Sequence, residues 1–210
     1  MFIMPEVVVQ RVLRLGIEHL RANDAAFDEI FYQFLEPEML SDYGQTYIDQ
    51  IKAWFSEVEI PVVQSWSFNP DRIPSVSIHL ASETEDEAKA AIGDFIGDGE
   101  ESSINTGVFT TNVDIGIHCS KNSDQTLWLY YILSYILFKE KQIAERLGLQ
   151  IHTWTASDYQ KDSQYMSDNI WTRWIRFRCT TQNTLEKDDY SEITDVEVES
   201  VTVESSSDDE

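Results

Sequence analysis

One run of the chain limits what it can fold into. TLWLYYILSYILF, Thr126 to Phe138, is the most apolar stretch, broken after Thr126 only by Ser134. A membrane-crossing helix needs about 20 such residues. The run is far shorter, and the chain turns charged at once in KEKQIAERLG. Helix punctuation brackets it: Ser123 or Asp124 can cap the N-terminus, and Gly148 supplies a left-handed stop after Leu147. Leu129, Leu133, Ile136, Ile143 and Leu147 keep one helical stripe, while Trp128, Tyr130, Tyr131, Ile132, Tyr135 and Phe138 fill the other faces. A helix with a single apolar stripe can lie on a sheet. One that is apolar all round must be covered on its back as well. The cover must be another helix of this chain or a neighbouring subunit.

The flanking segments read as strands. VFTTNVDIGIHC puts Phe109, Thr111, Val113, Ile115, Ile117 and Cys119 on one face and Asn112, Asp114, Gly116 and His118 on the other. That period of two predicts a half-buried strand with one wet face. IHTWTASDY and IWTRWIRFRCTT read as two further strands, the second with Ile175, Phe177 and Cys179 opposite Arg176 and Arg178. Upstream, IPVVQSWSF and IPSVSIHLAS are shorter strand candidates bounded by Pro61, Pro70 and Pro74. The first 60 residues are helical in pattern. PEVVVQRVLRLGIEHLRAN sets Val8, Val12, Leu15, Ile17 and Leu20 on one side, and YGQTYIDQIKAWFSEV sets Ile48, Ile51, Trp54 and Phe55 on another. Both can serve as the back cover. The expected fold is α+β: a β–β–β–α–β–β core at 61–182, mainly antiparallel with one long helix packed across it, a helical N-terminal segment at 1–60, and an extended acidic arm at 183–210.

Charge narrows the function classes. Against 38 acidic residues stand 15 basic ones, a net charge of −23, which disfavours tight binding to nucleic-acid phosphates or to anionic lipid. MFIMPEVVV lacks the basic leading region of a signal peptide. Cys119 and Cys179 are too few for a disulfide framework and are expected as free core thiols. From Glu186 onward lie eleven acids and one lysine, so about −10 of the charge sits there. SSSDDE reads as a solvated tail, but ITDVEVESVTV alternates Val196 and Val198 with acids before Val201 and Val203 resume after a slip at Ser200. A segment of that pattern can add a strand to an exposed sheet edge of a neighbouring subunit or partner.

No catalytic motif emerges. Gly93, Gly97 and Gly99 match neither a dinucleotide fingerprint nor a phosphate loop. As a calcium loop, Asp94, Asp98 and Gly99 are contradicted by Ile96 at the third position and Asn105 at the twelfth. His19, His79, His118 and His152 are scattered; His118 and Cys119 would point to opposite faces of a strand. There is no Gly-x-Ser-x-Gly elbow. No enzyme, cofactor or metal site is expected.

The order of segments resembles the tail-terminator and head-to-tail joining (neck) proteins of tailed bacteriophages. A helical start leads to YGQTYIDQIKAWFSEVEIPVV and then to PSVSIHLASETEDEAKAAIGDFIGD, with Pro74 and Ile78 opening a strand and an acidic Glu83–Glu87 cluster before Ile92-Gly93-Asp94. A strand–helix–strand follows Gly107 and closes on WTRWIRFRCTT. The likeness spans residues 45–182. It implies a structural virion protein, assembled in the host cytoplasm as a homo-oligomeric ring, usually hexameric. Such a ring ends the tail tube and joins it, with its sheath, to the head connector during virus assembly, and DNA passes through at ejection. A negative lumen would keep phosphates repelled and mobile. Asp114, Glu83, Glu85, Asp86 and Glu87 are candidates for lumen or rim. Trp66, Trp171 and Trp174 are candidates for subunit interfaces, and Val196, Val198, Val201 and Val203 for an arm that clasps a neighbour. Two rivals remain. A DNA-mimic inhibitor of a basic nuclease or regulator would spread its carboxylates over one continuous body surface. A metal-assisted nuclease would need ligand spacing that the sequence lacks.

Overall fold

A computed structural model of the chain describes residues 2–23, 25–31, 43–64, 72–85, 94–95, 104–120, 122–158 and 170–186. Trp66, Asp86, Glu87, Val196, Val198, Val201 and Val203 lie outside these residues. So do most of the glycine-rich stretch and the acidic tail.

The fold is α+β. Three helices come first: α1 (Pro5–Arg21), α2 (Ala25–Ile30) and α3 (Tyr43–Glu57). Strands β1 (Val62–Gln64), β2 (Ser75–Glu85), β3 (Asp94–Phe95) and β4 (Ile104–Cys119) follow. Then come α4 (Ser123–Lys139), α5 (Lys141–Arg146), β5 (Leu149–Asp158) and β6 (Trp171–Glu186). The sheet is ordered β1-β2-β4-β6-β5, with β3 paired to β4 off this path. β1 and β2 run parallel and every other pair is antiparallel. The expected β–β–β–α–β–β core therefore gains the short β3 and the separate helix α5. β6 also continues through Glu186, so Asn183 to Glu186, expected in the arm, belong to the sheet.

The alternation in β4 works as expected on its apolar side. Val113, Ile115, Ile117 and Cys119 are fully buried, and Val76 and Ile78 of β2 and Ile175, Phe177 and Cys179 of β6 join them on the same face. Helices α1 and α4 pack on this face, α1 toward β1 and β2, and α4 toward β4 and β6. Residues of α1, α2, α3, α4 and the sheet form one hydrophobic cluster. At about 1.5–3 kcal/mol for each large side chain removed from water, this layer is the main source of stability.

The N-cap of α4 is Asn122, one residue before the expected position; its side chain accepts from the Asp124 backbone N–H at 3.0 Å. The helix also stops earlier than its stripe suggests. It breaks at Glu140, and α5 carries the chain to Gly148, whose φ of 86° is the expected left-handed stop.

The back of α4 is covered by this same chain. Gly16 of α1 lies so close to α4 that a Cβ there would stand 2.2 Å from Ile136 Cγ2. The indole N–H of Trp128 donates to the Tyr47 hydroxyl of α3 at 2.6 Å, and Trp54 meets the same ring edge-on. Tyr135 donates to Glu29 of α2 at 2.6 Å. Of the large apolar side chains of α4, only Tyr131 and Phe138 stay exposed, at 38% and 70%. A neighbouring subunit is thus not required to shield the apolar run. Leu15, expected on the buried side of α1, is 46% exposed; Val9, Leu13 and Gly16 turn inward instead. The close crossing with α4 leaves room only for a glycine where a bulkier residue would otherwise sit.

Candidate functional site

Two features outside the core carry chemistry: a polar cluster on the sheet's outer face, and the free edge at β5.

The polar cluster follows from strand register. Ser75 stands opposite His118 and His118 opposite Thr172; Ser77 stands opposite Gly116 and Gly116 opposite Trp174; His79 stands opposite Asp114 and Asp114 opposite Arg176. Directly opposed residues share a face, so these side chains meet on the side away from the helices. The Ser77 hydroxyl lies 2.8 Å from Nε2 of both His118 and His79, donating to one imidazole and accepting from the other. His118 Nδ1 is 3.1 Å from the Thr172 hydroxyl. The Trp174 ring packs edge-on against His79 and His118. Gly116 makes the gathering possible, because a Cβ there would stand 2.7 Å from both Ser77 Oγ and His118 Nε2. Beside this cluster Arg176 holds Asp114 in a two-pronged pair, donating through Nε and Nη2 at 2.7 Å each.

This face is not uniformly wet, contrary to the alternation. His118 is 2% exposed and Ser77 is fully buried. Burial, and then the neighbouring His79, push the His118 imidazole down to about 4. Burial also lowers His79, against the pull of Asp114. Both rings are therefore neutral near pH 7. A serine between two histidines has the residue types of a nucleophilic relay. Ser77 Oγ, however, is closed to solvent, and the arrangement works as a hydrogen-bonded clasp across β2, β4 and β6.

The second feature lies at the end of the sheet. β5 pairs only with β6 among the described residues, so its outer backbone edge has no neighbour there. A bulge between Ile151 and Thr153 interrupts its register. Beside it opens a mostly apolar hollow of about 100 Å³, walled by Leu137, Phe138, Ile151, Trp154 and Phe177 together with Lys141, His152 and Thr153. Phe138 and Trp154 meet edge-on with centroids 5.0 Å apart. On the opposite face of the same edge, Arg178 stands beside Thr153 and Arg176 beside Thr155. Farther along, Gln182–Glu186 of β6 pair with Ile104–Val108 of β4 past the ends of both β2 and β5, flanked among the described residues only by β3. At about 3.4 Å per residue this ribbon projects ~17 Å.

The sequence-predicted residues divide among these places. Trp174 and Asp114 belong to the outer face: Trp174 lies over the histidines, and Asp114 has its charge offset by Arg176. Trp171, at the start of β6, is 50% exposed. Glu83 accepts from the Thr111 hydroxyl at 3.2 Å, and Glu85 ends β2. His118 and Cys119 do face opposite sides of β4. Both cysteines are free and buried, with thiols pushed up by burial to about 11 for Cys119 and about 12 for Cys179. Among the described residues no group of three potential metal ligands gathers, and no helix is long and apolar enough to cross a membrane.

Sequence reading treated His79 and His118 as scattered and missed Ser77 and Thr172. The available signal was the i, i+2 spacing Ser77/His79 and Gly116/His118 on two alternating strands, which becomes a cluster only once their register is known. No protein-family model matches the chain, and no curated protein matches it.

Proposed function

We propose that the chain is a non-enzymatic structural protein of a tailed-phage virion. It would assemble as a ring, hexameric by resemblance, at the junction of tail tube and head connector. Support comes chiefly from the β5 edge, unpaired among the described residues: a ten-residue strand with a mostly apolar hollow at its side is a surface for lateral assembly rather than for chemistry. The projecting β4–β6 ribbon offers a second, different contact surface. Two unlike surfaces on one subunit join head to tail, and such contacts close into rings when the rotation permits.

The charge of −23 suits a ring that DNA threads without sticking. Glu83 and Glu85 remain the best described candidates for the lumen or rim, because Arg176 largely offsets Asp114. Localisation to the virion and partners in the tube, sheath or connector follow from the same reading. The DNA-mimic reading is less well supported. Body carboxylates at Asp114, Asp158 and Asp28 are paired with Arg176, Arg173 and Lys52, which breaks up a continuous phosphate-like surface.

Light scattering on the purified chain, with negative-stain imaging of the same fraction, tests the proposal. Closed rings with no measurable retention on duplex DNA at low salt are expected. A monomer at every concentration, or a tight one-to-one complex with a basic nuclease, overturns it.

A further inference from the structure

We propose that the β5 edge is the receptor for the acidic arm of a neighbouring copy, with Asp195–Glu199 adding to it as a further strand. This rests on the assembly reading above and supplies its contact.

The receptor and the arm match side for side. In DVEVE, Val196 and Val198 fall on one face of a strand, and Asp195, Glu197 and Glu199 on the other. Laid against β5, one face of the arm meets the hollow between Phe138, Ile151 and Trp154. The other face then stands over Thr153 and Thr155, with Arg178 and Arg176 one strand farther in. Threonines are short enough for both arginines to reach across them. Arg178 has no carboxylate partner among the described residues, while Arg176 already carries Asp114. Valines to the apolar side and acids to the basic side is the pairing that the alternating sequence permits. Turning the strand over would put the carboxylates into the hollow, whose one lysine, Lys141, already pairs with Glu145, and would set the valines beside the arginines.

The donor is a second copy because the chain's own arm reaches the edge poorly. β6 carries the chain past the start of β5, since Leu149 pairs with Thr181 and β6 runs on to Glu186. To bring Val196 beside Ile151 and Trp154, the chain must reverse after Glu186. It must then travel back to the level of Cys179 and Phe177 and step across two strand spacings, about 29 Å. A fully stretched chain from Glu186 to Val196 spans about 34 Å, which leaves almost nothing for the reversal. A neighbour faces no such limit.

Disulfide trapping with singly substituted full-length chains tests this. The native cysteines are both buried and leave the introduced thiols as the reactive pair. Oxidising a mixture of Thr155→Cys chains with Glu197→Cys chains should give a reducible mixed dimer. A mixture of Glu197→Cys with Leu15→Cys, on the far side of the molecule, should give at least ~tenfold less. Adding Val198→Asp to the Glu197→Cys chain should reduce the mixed dimer to that control level.

If Thr155→Cys/Glu197→Cys within one chain closes on itself while the mixture stays unlinked, the neighbour assignment is wrong. If neither links, the edge is not the receptor. Light scattering of a chain ending at Glu186 separates the two proposals. Rings that persist without any trapping leave the assembly reading standing and remove this one. Mixed dimers from a sample that forms no closed ring do the reverse.

Discussion

Toward its C-terminal end, strand β4 is buried on both faces, by opposite means. Toward the helices, Val113, Ile115 and Ile117 are sealed by hydrocarbon from α1 and α4. Away from them, Gly116 and His118 are sealed by Trp174 and by a line of hydrogen bonds running from Thr172 through His118 and Ser77 to His79. Apolar burial is tolerant of direction and insensitive to pH. A buried imidazole is neither, because it must stay neutral and keep each nitrogen matched. The inner face therefore sets how stable the molecule is, and the outer face sets under which conditions that stability is available.

Truncation of the inner face should give the largest loss. Ile115→Ala, at a fully buried site between strands and helices, is expected to cost about 3–5 kcal/mol in urea unfolding. A loss under 1 kcal/mol would mean that the sheet and the helices do not share one core.

Acid should act on the outer face through His118. The His118 pKa is lowered from 6.5 to about 4 in the folded chain, so between those values the unfolded state binds more protons. Stability from this residue is complete above pH 6.5 and is lost as pH falls toward 4, by about 3 kcal/mol in all. Urea unfolding at several pH values should show that slope, and His118→Asn should flatten it. An unchanged slope would assign the acid sensitivity to other groups.

The close approaches come next. Gly16→Ala forces a methyl against Ile136 on the inner side, and Gly116→Ala forces one between Ser77 and His118 on the outer side. Each should cost about 1–3 kcal/mol. Adding Ile136→Ala, which removes both clashing γ carbons, should cost less in the Gly16→Ala chain than in the parent and should simply add to the Gly116→Ala loss. The smallest effect belongs to the open part of the outer face: Asp114→Asn removes a pair whose arginine is 63% exposed, for less than about 1 kcal/mol.

The same contrast explains what could be read from the chain. Periodicity is local, so the apolar face of β4, the need for a cover over α4, and Gly148 as a stop were all legible. Leu15 was placed inward by its hydrophobicity, but the helix crossing takes Gly16 there, a choice set by Ile136, far along the chain. The His79–Ser77–His118 clasp depends on register between strands some forty residues apart, which no single strand reveals. The β5 bulge, the brief β3 and the break at Glu140 are likewise products of tertiary contact. The β5 edge, unpaired among the described residues, was invisible until the strand order was known, although the pattern of the arm that would occupy it was visible from the start.

Hydrogen exchange along β5, compared between the full chain and one ending at Glu186 at the same concentration, tests the assembly surface most directly. The outward-pointing amides of Gln150–Ser157 should exchange slowly in the full chain and at least ~tenfold faster in the shortened one. Equal rates in the two would contradict the assignment of this edge as the place where copies join.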